Sequence, residues 1–386
     1  MKNLGKNAAD NKKNNRGKVL GLIATGRCRT RRELVDLMGL TKVTISNIVS
    51  DFQEKEILIE DEKLSLDKAG RRPVNIKISP NAPRIVGLLV IRDRVEVVLC
   101  DFYLHIEYRE KVILEHPTEQ ELIRIICRLV ENAIGKAENV LGIGVSSLGP
   151  VDSGDGIIME PPYFYGIGRL PIVSILETKF SLPVRIHQDN ESGALEEYYY
   201  GNGKGHESLM LVGIERGVGC GIIKDGKIYS GFHRLSPEIG HVSIDYKGRK
   251  CICGNRGCME LYVNSEELKA RFEKTFGKGK SLEEYISMQD IPEMDELMDD
   301  IMEKLAAGIS STINLLNLDL VILGYDGAYI SEKYLNLLER KINKKVFNSS
   351  RMTVVVKKPY YLQDAQLLGA VCNILQPVFD GEINIP

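Results

Sequence analysis

Pro237 to Glu260 reads PEIGHVSIDYKGRKCICGNRGCME. Cys251, Cys253 and Cys258 place three thiols within eight residues, and His241 stands ten residues before the first of them. Zn2+ favours four nitrogen or sulfur ligands in a tetrahedron, and three Cys with one His is a common closed set. Gly254 and Gly257 suit the tight turns such a set needs, because glycine tolerates positive φ. The competing reading is a chance cluster of buried free thiols. Buried cysteines usually sit singly on strands and helices, whereas a loop this rich in Gly, Lys, Arg and Asn is not expected to bury them. His241, Cys251, Cys253 and Cys258 are therefore read as ligands of a structural Zn2+, with no position left open for water or substrate.

Two signatures meet in the same stretch: Glu-x-Gly-His at 238–241 and Cys-x-Cys-Gly-x-x-Gly-Cys-x-Glu at 251–260. Together they resemble the ROK family of repressors, uncharacterised frames and sugar kinases, and the resemblance runs from about Val19 to the C-terminus. It implies that His241 and the three Cys hold a structural zinc, and that Glu238, His241 and Glu260 reach a bound sugar.

Composition sets the frame. A chain of 386 residues with 43% hydrophobic and 27% charged residues has the make-up of a soluble globular protein of two or three domains. No stretch approaches the roughly 18 apolar residues needed to cross a bilayer, and the N-terminus lacks the apolar segment of a signal peptide. Eight cysteines with metal-like spacing fit a reducing cytoplasm. Charge is uneven: residues 1–80 carry 17 Lys and Arg against 10 Asp and Glu, leaving 34 against 43 for the remainder. A basic head on an acidic body points to a nucleic-acid contact at the N-terminus alone.

Residues 1–15 read as a polar, basic, disordered arm, and 16–80 as an α+β winged helix-turn-helix domain. Arg16 to Thr25 has a short helical pattern. Thr30 and Glu33 form a capping-box sequence before a second helix, Gly39 breaks it, and Thr41 is the N-cap of a third. Ile45, Ile48, Val49 and Phe52 recur at helical spacing and define a buried stripe. The opposite face carries Lys42, Thr44, Ser46, Asn47 and Ser50, polar groups suited to base edges and phosphates of double-stranded operator DNA. Two strands near 57–59 and 74–78 flank a basic wing in which Arg71 and Arg72 would grip phosphates or enter a minor groove. An interaction-only winged helix is the competing reading. ROK repressors resemble this arrangement, whereas the family's kinases generally lack the head.

Residues 81–386 read as an α/β body by strand–helix alternation. The resemblance implies an actin-like, ribonuclease-H-like duplication: one subdomain of about 81–200 plus 360–386, and a second of about 201–359 with the zinc loop. In the family's kinases, the hairpin beginning near Arg84 carries an Asp-x-Gly-Gly-Thr that approaches ATP phosphates. The corresponding positions here are Leu89, Ile91, Arg92 and Asp93. Both glycines are gone, so the backbone cannot approach a phosphate closely, and Asp93 would repel one. The family's sugar contacts map onto Gly149 and Asp189. Asp189 is the equivalent of the kinase base, and its plainer reading is a helix N-cap. Where the family often has a sugar-touching Asn, this chain has Tyr163. The Gly-rich run at 217–221 resembles the second phosphate loop of the kinases, with Arg216 in place of a Thr, and reads equally as a tight hairpin; Gly324-Tyr325-Asp326 stands where kinases have Gly-Gly near adenosine.

The reading that gathers these observations is a cytoplasmic, sugar-responsive transcriptional regulator of the xylose- or N-acetylglucosamine-repressor type. It would act as a repressor of carbohydrate-uptake or catabolic genes, without catalysis and without a membrane contact. It would work as a homodimer or dimer of dimers with a structural Zn2+. The alternatives are an ATP-dependent ROK sugar kinase with an added DNA-binding head, and a module whose signal is a partner protein.

Overall fold

The structure, a computed structural model, describes residues 8–61, 74–231, 234–288, 291–347 and 353–385. The chain groups into two units: Met1–Leu148 with Asp155–His187 and Ala370–Pro386, and Gly149–Gly154 with Gln188–Gly369.

The first unit opens with α1 (Ala8–Ala24), α2 (Arg31–Met38) and α3 (Lys42–Glu54). The expected arm of 1–15 is thus helical from Ala8 onward. Its polar first turns are not left to their own propensity. Lys12, Lys13 and Arg16 line a cleft of about 360 Å³ with Val378, Gly381, Ile383 and Ile385 from the chain's C-terminal end. Arg16 also stacks 4.6 Å from the Phe52 ring and pairs with Asp51 at 2.5 Å, which ties α1 to α3. At α2, Thr30 accepts from the Glu33 N–H while Glu33 accepts from the Thr30 N–H, each at 3.2 Å. At α3, Thr41 accepts from the Thr44 N–H at 3.1 Å. Ile45, Ile48, Val49 and Phe52 are buried, as their spacing requires. β1 (Leu58–Asp61) and β2 (Asn75–Ile78) pair antiparallel, Leu58 opposite Ile78. The basic wing between them, Arg71 and Arg72 included, lies outside the described residues.

β3 (Arg84–Val90), β4 (Arg94–Cys100), β5 (Ile106–Ile113), α4 (Glu119–Ile134), β6 (Val140–Ser147), the two-residue strands β7 (Val151–Asp152) and β8 (Ile157–Ile158), α5 (Ile172–Phe180) and β9 (Val184–Gln188) follow, of which β7 groups with the second unit. The five-stranded sheet has the order β5-β4-β3-β6-β9. Its apolar strands are the near-continuous hydrophobic runs of a sheet covered on its faces.

The second unit contains α6 (Asp189–Tyr199), β10 (Leu209–Ile214), β11 (Val218–Lys224), β12 (Lys227–Ile228), α7 (Glu260–Val263), α8 (Ser265–Phe276), α9 (Leu282–Ile286), α10 (Pro292–Leu316), β13 (Leu320–Tyr325), α11 (Glu332–Lys345) and β14 (Val355–Lys357). α12 (Ala365–Phe379) returns to the first unit from Ala370 onward. The second sheet runs β12-β11-β10-β13-β14. Numbered within each unit, both sheets share the order 3-2-1-4-5. In both, antiparallel pairing joins the first two strands and parallel pairing joins the first to the fourth. This is a duplicated mixed α/β architecture. α6, which the sequence reading placed with the first subdomain, groups here with the second unit.

Candidate ligand and metal site

α6 carries Asp189, and glycines hold its first turn against β10 and β11. A Cβ on Gly221 would lie 2.0 Å from the Asn190 carbonyl oxygen, and one on Gly219 would lie 2.8 Å from the Asn190 amide nitrogen. The Gly-rich run is therefore a strand that lets a helix start lie directly on the sheet. Gln188 is the N-cap and Asp189 the first helical residue, so Asp189 is not the expected cap. Its Oδ1 accepts from the Asn190 N–H at 2.8 Å, and its Oδ2 accepts from the Tyr325 hydroxyl at 2.5 Å. Gly149 backs onto the Gln188 side chain, where a Cβ would lie 2.4 Å away. Gln188 in turn donates its N–H to Glu191 at 3.3 Å.

Glu238 precedes a 3-10 turn, Ile239–His241, seated against β11. Burial pushes its carboxyl above the ordinary range. The His241 ring opposes that shift, while the charges of Glu260, Asp189 and Glu191 reinforce it. These five side chains share one electrostatic environment, in which acceptors outnumber donors. Such a site favours a ligand that brings hydroxyl donors.

His241, Cys251, Cys253 and Cys258 come together as expected, with their donor atoms all within 4.8 Å of one another. Cys253 and Cys258 sulfurs are 3.7 Å apart, as are the Cys251 sulfur and His241 Nδ1. A tetrahedron with metal–sulfur bonds of about 2.3 Å has edges of about 3.8 Å, so the spacing fits a metal of that geometry. Burial pushes the Cys258 thiol up to about 12 and raises Cys251, whereas the Asn255 N–H holds Cys253 below its usual value.

One expectation fails here. The loop does bury Cys251 and Cys258, at 2% and 0% exposure, and leaves only Cys253 exposed. Gly257 makes this possible. At φ +64 it sits where a Cβ would lie 1.8 Å from the Asp245 carbonyl oxygen, so the loop folds tightly over its own thiols. Glu260 opens α7 and places Oε1 3.4 Å from both the Cys251 sulfur and His241 Nδ1. The metal loop and the carboxylate group are thus joined by His241 and Glu260.

The β3–β4 turn is of another kind. Leu89 and Ile91 are buried in the core. Arg92 donates to the Pro162 carbonyl at 3.2 Å, its own carbonyl accepts from the Tyr165 hydroxyl at 2.5 Å, and Asp93 pairs with Arg94 at 3.2 Å. Tyr163 is 77% exposed. In the head, Lys42 and Asn47 are exposed, Thr44 and Ser46 are half-buried, and the Thr44 hydroxyl lies 2.9 Å from that of Thr41. Val43, at the start of α3 and outside its buried stripe, is 68% exposed.

Fold and site together define an actin-like, sugar-kinase-type α/β body with a cysteine loop. The chain belongs to the ROK family, whose model matches residues 86–376. It is 25% identical over 378 residues to a xylose repressor of Caldicellulosiruptor bescii, covering 92% of this chain and 94% of the relative. It is 24% identical over 370 residues to the DNA-binding transcriptional dual regulator NagC of Escherichia coli, covering 91% and 90%. A solved ROK family transcriptional regulator, described as a homologue of the E. coli MLC protein, superposes with a TM-score of 0.80 at 21% identity over 97% of this chain and 98% of its own. A ROK family glucokinase from Streptomyces griseus, solved with glucose and AMPPNP, gives 0.65 at 22% identity over 75% of this chain and 98% of its own.

Proposed function

We propose that this chain is a sugar-responsive DNA-binding transcriptional regulator, a repressor of carbohydrate-uptake or catabolic genes that binds its effector without catalysis. The carrying observation is one chain with two features: a polar, capped α3 face in a basic head, and a hydroxyl-seeking carboxylate cluster in the second unit. The names of the relatives support it. α1 to β2 act as a winged helix-turn-helix. Lys42, Thr44, Ser46 and Asn47 meet base edges and phosphates, Val43 adds an apolar contact of the kind that reads thymine methyls, and Arg71 and Arg72 grip the backbone. A homodimer or dimer of dimers presents paired heads to a palindromic operator in the cytoplasm.

In this reading Asp189, Glu238, His241 and Glu260 hold sugar hydroxyls, with Gly149 positioning Gln188 beside them. Zn2+ is structural. His241 Nδ1 faces the thiolates, which leaves Nε2–H to donate to a ligand. Elemental analysis is expected to give about one zinc per chain, lost in Cys253→Ala together with the effector response. The filled β3–β4 turn argues against phosphoryl transfer, because buried Leu89 and Ile91 and the tied Arg92 leave no bare backbone for phosphate.

DNA from the chain's own upstream region tests the proposal by mobility shift against unrelated competitor, with sequence-selective retardation expected. The kinase reading retains Asp189 in its favour. It would prevail if ATP, magnesium and a panel of hexoses and pentoses gave turnover that disappears in Asp189→Asn.

A further inference from the structure

Tyr325 is the last residue of β13 and has φ 53 and ψ −127. That is the conformation of the first central position of a type II′ turn, where glycine dominates, and a non-glycine residue is held there only when its surroundings over-determine it. The surroundings fix it on both sides. The Tyr325 carbonyl accepts from Gln363 at 3.3 Å, and the next residue, Asp326, accepts from the Ser265 hydroxyl. β13 itself is locked to β10, with Tyr325 opposite Ile214. The strained backbone aims the phenol across 136 residues of sequence onto Asp189 Oδ2 at 2.5 Å. Asp189 is only 8% exposed, so this oxygen has little access to water.

We infer that the Tyr325 hydroxyl is a built-in stand-in for a ligand hydroxyl on Asp189, which makes Tyr325 a specificity-determining residue of the sensor site. This rests on the sugar-sensing reading above. A buried carboxylate left short of donors is costly, and the phenol supplies one while the site has no ligand. An incoming hydroxyl directed at Oδ2 must replace that bond. Only ligands whose remaining hydroxyls satisfy Glu238, His241 and Glu260 recover the loss. Tyr325 thus raises the threshold for binding and selects for polyols that engage the whole cluster.

The test has two arms. In the ligand-free protein, urea denaturation of wild type, Tyr325→Phe, Asp189→Asn and the double variant forms a double-mutant cycle. Coupling of about tenfold or more in the folding constant is expected for a bond to a charged acceptor, and additive effects would overturn the inference whatever sugars do. In the second arm, D-xylose, D-glucose and N-acetylglucosamine are titrated by calorimetry into wild type, Tyr325→Phe and the double variant. Tyr325→Phe is expected to bind at least one of them about tenfold more tightly than wild type, and the double variant is expected to show no such gain. Equal or weaker binding by Tyr325→Phe overturns the stand-in role while leaving sugar sensing intact. Binding of none of the three by any protein, with the coupling present, contradicts the sensing reading and the stand-in role with it, and leaves only a structural hydrogen bond.

Discussion

The turn between β3 and β4 lies in the first unit and the first turn of α6 in the second, each beside a five-stranded sheet of the same strand order, and they are built differently. The β3–β4 turn is filled: Ile91, and Leu89 on the strand just before it, are buried, and Arg92 is tied at both its guanidinium and its carbonyl. The α6 turn is kept spare, with glycines beneath Asn190 and a carboxylate, Asp189, held by a phenol and a backbone N–H. Bulky side chains fill the first turn, whereas the second leaves carboxylate acceptors in place. In a duplicated fold each half draws on its own loops, so the two can be built for different ends.

Matched substitutions break this comparison most strongly. Leu89→Ala removes a buried side chain and is expected to cost about 2–5 kcal/mol of stability by urea denaturation, with sugar affinity of the folded protein unchanged. Asp189→Asn is expected to cost less stability than this, on the order of the Tyr325 bond alone, and to lose about tenfold or more in sugar affinity, read by calorimetry. If the two variants exchanged phenotypes, the assignment of structure to one turn and ligand to the other would be wrong.

A smaller effect sharpens the picture of α6. Glu196 is fully buried on this helix, and burial, followed by the neighbouring Glu197 charge, raises its carboxyl well above the ordinary value. A carboxyl raised in the folded state lends stability that is fully present below its unfolded value of about 4.5 and is lost as pH rises through the folded value. Glu196→Gln is therefore expected to melt a few degrees higher than wild type at pH 7.5, with the difference closing as pH falls toward 4. A constant offset at both pH values would show that packing, not ionisation, is responsible.

The clustering of His241, Cys251, Cys253 and Cys258 was legible in the sequence, because a short span compresses residue types that suit a metal of tetrahedral geometry. The buried stripe and caps of α2 and α3 were legible for the same reason, since local periodicity and capping are local physics. What the sequence did not show depends on distant contacts. α1 lies beside the C-terminal residues around Ile383, which line a cleft with its Lys12, Lys13 and Arg16. β5 escaped notice because its alternating residues are exposed or half-buried at an edge. Cys251 and Cys258 are buried by a fold-back at Gly257 that composition does not announce. The bond from Tyr325 to Asp189 spans two sheet-bound elements, and a tyrosine at positive φ leaves no mark in a sequence.

In the proposed function one chain reads DNA and is answered by a sugar. Fluorescence anisotropy of a labelled upstream fragment, titrated with the full chain at fixed salt and repeated with D-xylose, D-glucose or N-acetylglucosamine, tests it directly. The expected result is sequence-selective binding whose affinity one of these sugars changes by about tenfold or more in wild type and leaves unchanged in Asp189→Asn. Binding that is indifferent to sequence, or selective binding that no sugar moves, would contradict it.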